Sequence, residues 1–393
     1  MKKPFNYLLV LFVLSGFTSA KQEAEPKSTD YIKEIPFNFD YGLPIIKATI
    51  NNIEYDFLFD TGMPNALSDK LTNKLGLKSI RSASGSDVNG NTSQESYVII
   101  DEIKVGGISF ENIETLSVDL SSGFEIGCLN LDGVIGNNLI RTAIWEIDYE
   151  NKVIRLTDNI EKFKIPDSAE ILKFKTNTKN KYYSPSVDIK INNKKRKGVK
   201  FDTGSTGGIT MPLNFFSNVL DPNKSVEYFG KASAALYGKG ENIKYVDSKI
   251  ESIELGDLTF KDQIVTFSEN FPVIGNKLFK NYKLIIDYST SKIYLIKQKE
   301  YNNSTLDNFG HQIAIIDQKA IVSLIYKNSE AEKMGLQLGD EILKANDLNY
   351  RELLATDACG FLFDNPHKKM ESLDVLVLRD GKEIPLKLKK KVL

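Results

Sequence analysis

The hexapeptide Phe57-Leu58-Phe59-Asp60-Thr61-Gly62 returns in the second half of the chain as Val199-Lys200-Phe201-Asp202-Thr203-Gly204. An apolar run that stops at Asp-Thr-Gly reads as a buried strand delivering a carboxylate onto a tight turn, where glycine lets the backbone pass close to a partner. One such turn presents one carboxylate. Chemistry that needs two carboxylates side by side therefore needs two such turns, facing each other across an approximate two-fold axis.

The repetition extends beyond the turns and keeps one order of parts. Upstream lie hairpin-like stretches with paired asparagines, Ala48-Thr49-Ile50-Asn51-Asn52-Ile53 and Asp188-Ile189-Lys190-Ile191-Asn192-Asn193. Downstream come Val134-Ile135-Gly136-Asn137 and Val273-Ile274-Gly275-Asn276, then Trp145-Glu146-Ile147-Asp148-Tyr149 and Leu284-Ile285-Ile286-Asp287-Tyr288. Gly136 and Gly275 are separated by the same interval as Asp148 and Asp287, so the later blocks share one register. A further pair, Ile103 to Gly106 and Ile253 to Gly256, leaves an insert at Asp119 to Asp132 in the first half only.

This arrangement resembles the retropepsin-like and pepsin-like aspartic proteases, with both half-sites in one chain. The resemblance implies a mainly β fold of two pseudo-two-fold related acid-protease barrels. It also implies endopeptidase activity on a peptide or protein substrate, with Asp60 and Asp202 as the catalytic pair and no cofactor or metal. Thr61 and Thr203 would brace the two loops, and Gly62 and Gly204 would let their N–H groups approach the carboxylates. Ser205 conforms to the family's usual residue after Asp-Thr-Gly. Met63 departs from it, because it cannot donate a hydrogen bond to Asp60, and this departure supports the alternative of a catalytically weak or inactive peptide-binding protein of the same fold. A flap is expected within Ser82 to Ser96, at Asn89-Gly90, with Tyr237 as a substrate contact from the matching stretch Gly230 to Lys244.

Composition narrows the alternatives. A net charge of −1 gives no hint of a nucleic-acid partner, and 41% hydrophobic content over 393 residues suits two or three globular domains. Only 2 His are present, so His311 and His367 would have to carry any Ser-His, Cys-His or His-ligated metal chemistry. Asp148 and Asp287 form a rival carboxylate pair, but each precedes a tyrosine and a polar turn and reads as a structural hairpin aspartate.

The chain opens with Lys2 and Lys3, an apolar run from Tyr7 to Phe12 continuing to Phe17, and then Thr18-Ser19-Ala20. This pattern predicts a signal peptide over 1–20 and an exported, periplasmic or secreted protein. The run is short of the ~20 residues a membrane span requires, so none is expected after cleavage. Residues 21–30 read as a flexible leader, 31–158 as lobe one and 173–299 as lobe two. Because both lobes belong to one chain, a monomer is expected.

Beyond Lys299, Asn302-Asn303-Ser304-Thr305 marks a linker and the pattern changes. Ser329-Glu330-Ala331-Glu332 is a capping box. Met334 to Leu343, with its Gly-Asp-x-Ile-Leu strand, and Val375 to Lys382, with an Asp-Gly turn, resemble a PDZ domain over 306–393. That likeness implies capture of a C-terminal peptide ligand by strand addition and a glycine loop. Phe309-Gly310-His311 is the nearest match to that loop, departing from it at His311. Cys128 and Cys359 fall in different domains. They could pair in an oxidising compartment, but such cysteines are more often unpaired.

Overall fold

The computed structural model describes Pro26 and residues 29–86, 91–176, 183–232, 234–236, 238–269, 271–364, 367 and 370–392. The paired asparagines do what their side chains allow. Asn51 and Asn52 adopt φ of 50° and 61°, and Asn192 and Asn193 adopt 44° and 67°. Both residues of each turn are left-handed, which suits a two-residue hairpin between right-twisted strands. Ile45–Ile50 therefore folds back on Ile53–Phe59, and Pro185–Ile191 on Lys194–Phe201.

Each hairpin begins a closed six-stranded barrel. In the first, Ile53–Phe59 continues through Gly133–Ile135, Ala66–Ser68, Ile108–Val118 and Thr92–Val105, which closes onto Ile45–Ile50 at Ala48 and Val105. In the second, Lys194–Phe201 continues through Val273–Ile274, Ile209–Pro212, Leu258–Ser268 and Ile243–Leu255, which closes onto Pro185–Ile191 at Ile191 and Ile253. The chain is thus mainly β, as the resemblance implies. Alternating burial along the strands fills both barrels with Ile, Val and Phe in one continuous core.

A shared antiparallel sheet joins the barrels. Ile32–Asn38, Val153–Thr157 and Ile144–Asp148 come from the first half, and Tyr282–Asp287, Lys292–Lys297 and Glu170–Lys173 come from the second or its approach. The halves meet where Ile147 faces Leu284 and Trp145 faces Ile286. Because the Asp-Tyr repeats end these two central strands, the sheet register also fixes where Tyr149 and Tyr288 stand.

The C-terminal third has its own apolar core, including Val322, Ile342, Leu354, Val375 and Leu388, beneath the helical segment Tyr350–Asp364, which kinks at Asp357. Ser329 caps helix Glu330–Lys333 by accepting from the Glu332 N–H at 3.2 Å. The Glu332 carboxylate accepts from the Asn328 N–H at 2.6 Å, one residue earlier than the usual box. The Asp380-Gly381 turn forms with both φ values positive, and Arg379 holds Asp340 through two bonds of 2.6 Å.

Among the described residues, several contacts fasten this unit to the barrels. Strand Ser225–Gly230 of the second half pairs with Lys319–Tyr326, and Tyr228, Tyr245 and Tyr326 stack there. Phe363 packs against Tyr41 of the first half in a tilted ring contact with centroids 3.9 Å apart. Cys128 and Cys359 form a disulfide, which decides a pairing that the sequence leaves open. The lobe-one insert folds into helix Phe124–Gly127 and places Cys128 against the C-terminal helix, a proximity that the 231-residue separation conceals. The polar stretch after Lys299 is not a free linker either. Asn303 exchanges backbone and side-chain bonds with Ile264, and Tyr301 is buried.

Candidate active site

Each Asp-Thr-Gly turn is set by the strand that enters it and the strand beside it. Phe59 packs on Trp145 at 5.1 Å, and Phe201 stacks on Phe279 at 4.0 Å, which anchors the last residue before each aspartate. Phe57 to Phe59 runs parallel to Gly133 to Ile135, and Lys200 and Phe201 run parallel to Val273 and Ile274. The Asp60 N–H donates to the Ile135 carbonyl and the Asp202 N–H to the Ile274 carbonyl, both at 3.0 Å. The Val-Ile-Gly repeats therefore lie beside the turns they accompany in sequence.

The two turns meet through reciprocal threonine bonds. Thr61 Oγ1 donates to the Phe201 carbonyl at 2.7 Å and accepts from the Thr203 N–H at 3.1 Å. Thr203 Oγ1 donates to the Phe59 carbonyl at 2.9 Å and accepts from the Thr61 N–H at 3.0 Å. Both threonines are fully buried, so each hydroxyl satisfies backbone groups that water cannot reach. Within each turn the glycine N–H donates to its own aspartate, Gly62 to Asp60 at 2.5 Å and Gly204 to Asp202 at 2.9 Å. A methyl group on Gly62 would fall on the Asp202 carboxylate, and one on Gly204 would fall on the Asp60 carboxylate. Only glycine leaves room for the facing acid at these two positions.

Asp60 and Asp202 are each 7% exposed. Burial, the neighbouring Asp202 carboxylate and a bond between the two side chains raise Asp60 well above the usual carboxylate range. The Gly62 N–H and the Lys200 charge oppose the rise without cancelling it. The site thus retains a proton where an ordinary carboxyl would have lost it.

A second brace stands behind the turns. Asn137 Nδ2 donates to the Thr61 carbonyl and Asn276 Nδ2 to the Thr203 carbonyl, both at 2.7 Å. Each asparagine is held in turn by a tyrosine from the opposite half. Tyr149 donates to Asn276 Oδ1 at 2.8 Å, and Tyr288 donates to Asn137 Oδ1 at 2.5 Å. Burial raises both phenols, which keeps them protonated donors. The Gly-Asn and Asp-Tyr repeats are visible in the sequence, but reading them there gives Asn137, Asn276, Tyr149 and Tyr288 no role. The repetition itself is the available signal. Asp148 and Asp287 serve their hairpins as expected, accepting from Asn151 and from Ser289 and Thr290.

Ser205 follows the second turn, where its Oγ accepts from the Gly207 N–H at 3.3 Å. Met63 packs against an apolar cluster containing Leu58, Leu116, Leu120 and Val134, with Leu236 and Phe363 against the same cluster. The proposed flap residues Asn89, Gly90 and Tyr237 lie outside the described residues. Phe309, Gly310 and His311 sit together far along the chain, in the C-terminal unit. Gly310 has φ 85° and its N–H donates to Asn308 Oδ1 at 2.6 Å, so that donor is already engaged. His311 opens strand His311–Ile316, its Nδ1 is buried without a hydrogen bond, and burial lowers its pKa to about 4.

Among the described residues, no group of three or more His, Cys, Asp or Glu side chains is arranged to hold a metal ion. No helix there is long and apolar enough to cross a membrane. A family model described as aspartyl protease matches residues 46–139, which span the first barrel from its opening hairpin to the Gly136-Asn137 brace. No curated protein matches the chain. The family likeness thus rests on the first half, and the internal repeat extends the same arrangement to the second.

Proposed function

We propose that this chain is an exported aspartic endopeptidase that hydrolyses peptide bonds with a water activated between Asp60 and Asp202. The observation that carries this reading is the pair of facing turns, in which each carboxylate sits against the other turn's glycine and the threonines lock the pair. Two carboxylates in one buried site do not both ionise easily, so the pair holds a proton between them. In aspartic proteases two facing carboxylates share one proton in this way. The ionised member takes a proton from the attacking water while the protonated member donates to the developing oxyanion. Collapse of the tetrahedral species returns a proton to the leaving amine, without a covalent intermediate.

Both half-sites come from one chain, so one chain supplies one site and the working form is a monomer. The leader pattern and the disulfide support export to an oxidising compartment. The C-terminal unit is PDZ-like in its capped helix, Gly-Asp strand and Asp-Gly hairpin. Its fastening across both halves suits a fixed wall that positions substrate.

The test is digestion of a diverse peptide mixture by the chain from Lys21 onward, across pH, with cuts mapped by mass spectrometry. Discrete cuts are expected, abolished by Asp60→Asn and by Asp202→Asn and blocked by a hydroxyl-bearing peptide analogue of the tetrahedral species. Cuts that persist in either variant would overturn the mechanism.

A further inference from the structure

Lys200 stands two residues before Asp202. In strand Lys194–Phe201 its neighbours Val199 and Phe201 are fully buried in the barrel, while Lys200 is half-buried. Side chains alternate along a strand, so Lys200 shares the face that presents Asp202. Its Nζ crosses to the other half-site and donates to the Gly62 carbonyl at 3.1 Å, and its charge acts on Asp60.

Several partly buried cations have carboxylate partners, which this lysine lacks. Arg155 pairs with Glu146, Lys283 with Asp148 and Arg379 with Asp340. Among the described residues, Lys200 forms no ion pair with a carboxylate and has one neutral carbonyl as its hydrogen-bonded partner. An ammonium carries three N–H donors, so two remain for a ligand.

The matching residue of the first half-site is Leu58, two before Asp60. It belongs to the apolar cluster that also takes Met63 and Phe363. The two half-sites are therefore chemically unequal, with a hydrocarbon side chain two residues before Asp60 and, two residues before Asp202, a lysine whose ammonium reaches the Gly62 carbonyl.

Resting on the proteolytic reading above, we propose that Lys200 selects substrates with an acidic side chain on one side of the scissile bond, the Leu58 side taking an apolar one. The ammonium would exchange part of its hydration for a charge-assisted bond to the substrate carboxylate. A basic side chain in that place would meet a like charge next to the dyad and be rejected.

The test uses the full chain from Lys21 and four peptides matched except at their centre: Leu-Glu, Leu-Lys, Glu-Leu and Lys-Leu. Both orders are included so that either direction of binding is sampled. At a pH where Glu is ionised, kcat/KM for the better Glu peptide should exceed that of its Lys counterpart by roughly tenfold or more. Lys200→Met should remove the preference, Lys200→Glu should invert it, and Lys200→Arg should retain it. The ratio between two peptides at one pH cancels any general change in the dyad, so a merely structural or tuning role would leave it unmoved.

An unchanged ratio in Lys200→Met overturns the inference while leaving the proteolytic reading intact, and this variant decides if Lys200→Glu fails to fold. If the wild type cuts none of these peptides or those of a diverse mixture, the proteolytic reading fails instead. Calorimetric binding of the same four peptides then decides the inference: inversion by Lys200→Glu supports it, and equal binding by wild type and variant overturns it.

Discussion

Around Asp60 the residue two places earlier is Leu58 and the residue three places later is Met63, both packed in hydrocarbon. Around Asp202 the same places hold Lys200 and Ser205, an ammonium that reaches across to Gly62 and a hydroxyl that accepts from Gly207. The backbones of the two half-sites nevertheless agree almost bond for bond, from the threonine lock to the asparagine and tyrosine braces. The difference shows which features the paired carboxylates require and which they leave free. Holding two acids face to face demands equal turns. Nothing in that demand specifies the side chains flanking the reacting bond.

The largest test of that equality is steric. Gly62→Ala and Gly204→Ala each place a methyl group on the facing carboxylate, and displacing a catalytic group by about 1 Å can cost ~100-fold or more. Both variants should lose at least that much kcat/KM. Near wild-type turnover by one of them would show that its half-site does not need the close approach.

Next is the asymmetric fastening, since only the first half carries the disulfide-bearing insert. Cys359→Ser should lower stability by about 3 kcal/mol in thermal or denaturant unfolding. Full retention of stability relative to the oxidised protein would show that the cross-link does not restrict the unfolded chain.

The protonation of Asp60 makes a prediction with a definite sign. Burial and Asp202 raise its carboxyl above the ordinary value of 3.8, so the folded state binds more protons than the unfolded state over the window above that value. Its contribution to stability is complete below the ordinary value and is lost as pH rises through the folded one. Asp60→Asn should therefore unfold at higher temperature than the wild type near neutral pH, with the gain shrinking toward pH 4. Asp148 behaves oppositely. Burial alone would raise it, but bonds from Asn151 and Gln298 outweigh that and hold it at about 2, so its contribution fails only as pH falls through that range. A gain from Asp60→Asn that grew on acidification would contradict the assignment.

The smallest expected effect sharpens the comparison. Tyr149→Phe and Tyr288→Phe each remove one buried hydrogen bond to an asparagine that holds the opposite turn. Each should cost about 1 kcal/mol, to a similar extent. Unequal costs would show that the pseudo-symmetry ends at the first layer around the dyad.

Much of this site can be read from the chain before folding because its signals are local. Asp-Thr-Gly, Asn-Asn and Asp-Gly each demand a particular backbone, and each adopts it. The features that escape such a reading depend on partners distant in sequence. Tyr149 follows an aspartate whose hairpin role already accounts for the repeat, and its partner Asn276 lies in the other half. Cys128 and Cys359 meet because a short helix in the insert reaches the C-terminal helix. The pairing of Ser225–Gly230 with Lys319–Tyr326 joins two strand edges whose sequences do not specify each other. Asn303 sits in a polar stretch that reads as a linker, yet its amide completes the edge at Ile264.

The central claim is that two turns of one chain form one proton-sharing site. Calorimetric titration of the chain with a hydroxyl-bearing peptide analogue, repeated in buffers of different ionisation enthalpy, measures stoichiometry and proton exchange together. The account predicts one analogue bound per chain, unchanged stoichiometry on dilution, and loss of the proton-linked component in both Asp60→Asn and Asp202→Asn. One analogue per two chains, or a proton-linked component that survives in either variant, would contradict it.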